Sequence, residues 1–515
     1  MARAGISGPS SSPAFSSKNN ERTFNLEVSM TLRNARRHLT GPATLLFALT
    51  AAFSTAALGS DDDKGGVGFS LTPFSRVAFD VVDTTDPTKT PYDVAKAAAT
   101  AIATYVATVD DAPDFGSDWV LGGLEGDPTE AAIEEAILRV PTPYLIDPDE
   151  PMSAANRKKV NIVEMCNKTF AQKALGLLAV VEGDDTTKII DGYIHAPALP
   201  CEVAIYADED GLVKVDMLQP EAIFTLFFTD VLFGEQMLDP AFAAAIQELP
   251  AEVNAQIRTI IQTALDGAGF AHVPQSKPLG PTYNSLEEVA EVVEETPYDS
   301  PYVHFAYQKL DGTLFTDSDA ATIAAAIIET MSLDGVHDPE LDDLLNIDDW
   351  RSARPAPLPV PGNRVIEACS PTNAIAAMGL GMDHATALPC EIAIKPVSLD
   401  GIDGNESLMV TYLDPHFMFS ALFSDAFDDL TEEELDAFMA LPPEVLEDLQ
   451  TIVAYAFEKN LAIALTEPEQ VEFDMLPEDE EEDDHYRDRH GKGGHYGDDG
   501  DHHQHKRDKK RGAKD

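Results

Sequence analysis

Four cysteines occur in the 515-residue chain, in two pairs at matching places: Cys166 with Cys201, then Cys369 with Cys390. A histidine stands six residues before the second cysteine of each pair, in "HAPALPCEVAIY" (195–206) and "HATALPCEIAIK" (384–395). Three chemistries fit these residue types, and the remaining reading is buried, inert thiols. A disulfide within each pair is the simplest, because an even set of cysteines in an exported chain reads as a bridge framework. The second is a soft metal set of two thiolates and an imidazole, Cys166, Cys201 and His195 in one half and Cys369, Cys390 and His384 in the other, suited to Cu(I) or Zn. The third is thiol-redox or sulfur-handling chemistry, with one cysteine attacking and the other resolving. Cys166 and Cys369 lie just before an expected helix N-terminus, where a thiol pKa falls. Against a ligand role, a histidine near a strand is more often a structural hydrogen-bonder.

A second group of histidines lies at the C-terminus. His485, His490, His495, His502, His503 and His505 alternate with aspartates after the acidic run "EDEEEDD". Such a stretch binds Zn, Ni or Cu(II) through imidazole nitrogens, or serves only as a solvating tail. Without apolar periodicity, residues 477–515 are expected to be disordered. No Gly-rich phosphate loop, His-Glu-x-x-His or nucleophile elbow is present. Catalytic residues are therefore expected to be none. Glu164 and Glu367 recur in both halves, but in so acidic a chain the recurrence is uninformative and a plain solvent-facing role is open to them. Asn167 and Asn405 sit in Asn-x-Ser/Thr sequences and are read as unmodified.

The elements that must position these residues repeat along the chain. "VEMCNKTFAQKALGL" (163–177) aligns with "IEACSPTNAIAAMGL" (366–380), and "LQPEAIFTLFFTDVL" (218–232) with "LDPHFMFSALFSDAF" (413–427). "LPAEVNAQIRTIIQTAL" (249–265) aligns with "LPPEVLEDLQTIVAYAF" (441–457). The modules are placed at 66–271 and 282–470, with their boundary in the Pro/Gly-rich stretch 272–281. Each begins with an Ala-rich helix. A short strand then ends at a capped helix, by Asn167 in one half and Ser370-Pro371 in the other. Leu-Pro-Cys opens a further strand, with a hairpin turn at Asp208–Gly211. Phe224 and Phe228, like Phe419 and Phe423, are spaced to form a buried helical stripe. The irregular alternation of strands and helices indicates α+β architecture, each module an antiparallel sheet against helices.

The Cys-Asn, Leu-Pro-Cys and Asp-Pro landmarks give the repeats a resemblance to the domain of unknown function 302 family, in two tandem copies. It rests on residues 163–222 and 366–417. The resemblance implies a compact α+β domain with a curved antiparallel sheet, and no established enzymatic activity. The chain departs from the pattern in spacing, with 35 residues from Cys166 to Cys201 against 21 from Cys369 to Cys390, and it lacks a proline after Asn167.

Composition bounds the function classes. Ninety acidic against 35 basic residues give a net charge of −55. That field disfavours nucleic acid and anionic membranes as partners, and suits solubility in high salt, as in halophilic bacteria. Residues 1–29 read as a mis-assigned start. From Met30, Arg33, Arg36 and Arg37 precede the apolar run "ATLLFALTAAF" and small residues, a signal peptide over 30–59. The expected location is periplasmic or secreted. The expected role is a non-catalytic binding protein for a metal or small ligand, with thiol-redox or purely structural roles as alternatives. The two modules are expected to pack as a pseudo-dimer.

Overall fold

The computed structural model describes residues 70–108, 119–124, 127–176, 192–199, 201–233, 237, 240–297, 300–331, 337–347, 349–352, 358–360, 363–388, 390–398 and 405–471. The signal-peptide and tail assignments, with all six tail histidines, lie outside these residues. No helix among the described residues is long and apolar enough to cross a membrane.

The fold is α+β, with two antiparallel sheets and packed helices. The first sheet uses β1 (Phe74–Asp83), β2 (Trp119–Leu121), β3 (Leu138–Leu145), β4 (Arg157–Asn167), β5 (Cys201–Ala207), β6 (Val213–Leu218) and β7 (Phe270–Leu279). Its strand order is β2-β4-β5-β6-β1-β7, with β3 beside β4. The second uses β8 (Tyr302–Gln308), β9 (Arg351–Ser352), β10 (Leu358–Val360), β11 (Asn363–Cys369), β12 (Cys390–Val397), β13 (Ser407–Leu413) and β14 (Glu469–Val471). Its order is β10-β11-β12-β13-β8-β14, with β9 beside β11. From β4 and β11 outward the two orders correspond, and at the other end β2 and β9 pair with the ends of β4 and β11 while β3 and β10 pair with their beginnings.

Local chemistry explains the element ends. Asn167 Oδ1 accepts the Phe170 amide at 2.8 Å, and Ser370 accepts from Asn373 ahead of Pro371 at the first helical position. The Asp208–Gly211 turn closes the β5–β6 hairpin, with Gly211 at φ +79°. Residues 272–281, expected as the boundary between modules, instead lie largely in β7, paired with β1 on one side only. Pro274 and Pro278 are tolerated there because an edge strand has one row of backbone groups facing outward.

β5 and β13 are buried at every position, although their sequences alternate. The cause is cover on both faces. The Pro91–Thr108 helix packs on β4 and β5, while a short turn from the other half packs on β5, β6 and β1. One apolar cluster accordingly runs through both halves, from Leu71 and Phe74 to Met409 and Phe438. A second, around Ile323, Trp350, Ile392 and Ile452, belongs to the second half.

Candidate functional site

The covering turns are the segments that carry the repeated histidines. Gly192–Ala198 and Met382–Ala387 are single 3-10 turns placed just before β5 and β12. The first packs on β11, β12 and β13, and the second on β5, β6 and β1. Each half thus inserts its histidine turn against the sheet of the other. Both rings are 1% exposed.

The ring environments are related and differ in one respect. His195 Nδ1 faces the Gly192 carbonyl at 3.2 Å, and His384 Nδ1 faces the Ala377 carbonyl at 3.2 Å. A carbonyl only accepts, so Nδ1 donates in both. His195 Nε2 lies 2.9 Å from Asp230, and its ring stacks on Phe228 at 4.4 Å. His384 has the corresponding neighbours, Asp425 and Phe423, the ring centroids 4.5 Å apart. Its Nε2, however, is 3.6 Å from Asp425 and has no hydrogen-bond partner among the described residues. Asp383 completes the group: one ligand atom each from Asp383, His384 and Asp425 lie within 4.8 Å of one another. Burial pushes the Asp383 carboxyl above its ordinary value, opposed by His384. Gly381 makes room for the group, since a Cβ there would lie 2.9 Å from Asp383 Oδ1 and 3.2 Å from the His384 ring. In the first half Ile194 stands where Asp383 stands in the second, so His195 has only Asp230.

The cysteines are arranged otherwise than expected. All four are free thiols. Across β4–β5 the residue opposite Cys201 is Met165, not Cys166, and across β11–β12 the residue opposite Cys390 is Ala368, not Cys369. This one-residue offset leaves the thiols of each pair near one another but unbonded, Cys201 acting on Cys166 and Cys390 on Cys369. Nor does a helix end lower their pKa. Burial pushes Cys166 and Cys369 well up and Cys201 and Cys390 up to about 12, which suppresses the thiolate needed for attack or soft-metal ligation. Among the described residues, no group of thiol and imidazole atoms lies close enough to share an ion.

The repeated glutamates do not face solvent. Glu164 lies opposite Glu202 in the first sheet, and Glu367 opposite Glu391 in the second, all at 4% exposure or less. Oxygens of Glu202, Glu367 and Glu391 approach within 4.8 Å of one another where the halves meet. Carboxylates so close share protons or a cation. This group is enclosed on all sides, whereas Asp425 is 37% exposed and opens the histidine group to solvent.

No protein-family model, curated protein or solved structure matches the chain. The likeness of its repeats to the domain of unknown function 302 family therefore rests on the motif residues alone.

Sequence reasoning found both histidines but missed Asp383 and Asp425. A signal for Asp383 existed in the repeat itself: "YIHA" against "MDHA" differs by one charged residue beside the shared histidine. Asp230 and Asp425 recur two residues after Phe228 and Phe423, but in a chain with 90 acidic residues that recurrence carried little weight.

Proposed function

We propose that the chain is an exported, non-catalytic metal-binding protein built from two copies of one module. It takes a divalent ion of the Zn²⁺ class at Asp383, His384 and Asp425. The observation that carries this reading is the buried His384 Nε2, without a hydrogen bond among the described residues and 3.6 Å from Asp425, in a group completed by an Asp383 oxygen. With Nδ1 donating to a carbonyl, a neutral ring turns its Nε2 lone pair toward carboxylate oxygens, a repulsion that a bound cation or a proton on Nε2 relieves. The 3.6 Å separation from Asp425 is too long for a hydrogen bond and close to the roughly 3.3 Å between two ligands of a tetrahedral ion with bonds near 2.0 Å. The Nδ1 bond to the Ala377 carbonyl fixes the tautomer that leaves Nε2 free, the usual outer support of a ligating histidine. One imidazole and two carboxylates suit Zn²⁺, with Ni²⁺ and Cu²⁺ as competitors. Solvent access at Asp425 suits reversible binding. The matching strand orders and the doubled histidine turns support the two-copy reading.

The test is zinc stoichiometry by equilibrium dialysis on the full chain and on its His384→Gln variant. Any tail contribution is common to both and cancels. The variant is expected to lose one equivalent of zinc, and with it the zinc-dependent rise in melting temperature. At a hundredfold excess over Kd that stabilisation is about 2.7 kcal/mol. Equal stoichiometry in the two proteins would reject the site.

A further inference from the structure

A cavity of about 270 Å³ lies between the two halves on the other side of the contact. Arg139, Arg157 and Lys159 line it from β3 and β4, and Arg351, Asp349 and Thr372 from β9, the segment before it and the start of the Pro371–Leu380 helix. Four cations in one cleft are unexpected in a chain where acidic residues outnumber basic ones 90 to 35. Most of them have no ion pair among the described residues. Arg139 is paired with Glu134 at 2.6 Å. Arg157 donates only to the carbonyls of Thr142 and Pro143. The Lys159 ammonium has no hydrogen bond or ion pair among the described residues. Arg351 Nε is buried without a hydrogen-bond partner among the described residues. Asp349, a carboxylate lining the cleft, is engaged by the Ser370 hydroxyl and by the amide and hydroxyl of Thr372.

We infer that this cleft binds a small tetrahedral dianion, the chemistry shared by inorganic phosphate and sulfate. Three cationic groups from two sheets converge on one space and offer donors from several directions, which suits an ion with oxygens on all sides. Low-dielectric walls focus their field locally, so the site works against the negative field of the whole molecule. Divalent charge is needed for the same reason, since a monovalent carboxylate gains less from the three cations. The volume falls below the roughly 300–1,000 Å³ typical of larger organic ligands. The site shares no residue with the metal group and does not depend on it.

The test is calorimetric titration of the full chain, in low-chloride buffer, with phosphate, with sulfate and with acetate. Phosphate or sulfate is expected to bind with 1:1 stoichiometry and acetate not to. Lys159→Gln and Arg351→Gln are each expected to weaken binding by about tenfold or more, and Lys159→Arg to restore it. Lys277→Gln, an exposed cation on β7, controls for the general effect of charge and should leave affinity unchanged. Circular dichroism and melting temperature establish that each variant is folded. Wild-type protein that binds neither dianion at millimolar concentration, or that binds acetate equally well, overturns the inference. So does equal affinity in Lys159→Gln, Arg351→Gln and Lys277→Gln. Retained binding of zinc in a variant that has lost phosphate separates this site from the metal group.

Discussion

Burial decides the chemistry of the individual side chains. Cysteines expected to be bridged or reactive are enclosed thiols, and that has a direct readout. The native protein should resist alkylation at pH 8 and show no mass change on reduction, while the denatured protein should take up four labels. Intact mass after labelling checks both, and fewer than four labels on the unreduced, denatured chain would restore the disulfide. His304 gives a pH dependence. It is enclosed on β8 with Nδ1 3.0 Å from Thr411 Oγ1, and burial, with His195 nearby, pushes its pKa down from 6.5 to about 3. The unfolded chain therefore binds the extra proton first. This contribution is full above pH 6.5 and is lost as pH falls toward 3. By pH 4 the loss is about 3 kcal/mol. Chemical denaturation of wild type and His304→Gln across this range should give a shallower slope in the variant.

At the level of elements, short segments are held by side chains far away in sequence. Asp448, on the Leu441–Tyr455 helix, accepts from the amides of Asn346 and Ile347 and from the Trp350 indole, at 2.7 to 3.0 Å, and is fully enclosed. These bonds pin the segment that delivers Asp349 and Arg351 to the basic cleft. Asp448→Ala leaves the buried Trp350 indole and two part-buried amides without their acceptor and is expected to destabilise the protein by on the order of 2 kcal/mol. Thermal melts measure that loss, and weaker dianion binding at temperatures well below the melt would show the displaced Arg351. Asp414 illustrates a smaller local effect: it caps its helix through the His416 amide at 3.0 Å, and Asp414→Ala should cost about 1 kcal/mol or more.

At the scale of the whole molecule, each half supplies part of the other's core. Phe74 packs edge-on to His384 at 5.8 Å, and Tyr302 packs against His195 at 5.5 Å and donates to the Phe227 carbonyl at 2.9 Å. The described fold should unfold in one cooperative transition by calorimetry. Residues 282–470 expressed alone should aggregate or fail to fold, because β12 and β13 lose the Gly192–Ala198 turn that covers them. The net charge of −55 acts on the same scale. Screening of self-repulsion predicts a melting temperature that rises with salt, and an unchanged value in dilute buffer would argue against adaptation to high salt.

Local pattern was enough for much of the architecture. The alternation after Leu-Pro-Cys, the caps at Asn167 and Ser370, the Asp208–Gly211 turn and the doubled motifs each depend on neighbours a few residues away, so one sequence could reveal them. The strand at 270–279 was hidden because proline and glycine signal a break, and only pairing with β1 shows that an edge strand can hold them. Which face of a strand is enclosed, and by what, is set by contacts hundreds of residues apart. Hence a solvent-facing role stayed open for Glu164 and Glu367, the cysteines read as bridged, and Asp383, Asp425 and the cationic cleft went unnoticed. The repeated histidine was legible as a residue awaiting an explanation. Only the tertiary structure supplied it: insertion into the opposite half buries each ring, against Tyr302 for His195 and Phe74 for His384, while the oxygens that meet its nitrogens come from its own half.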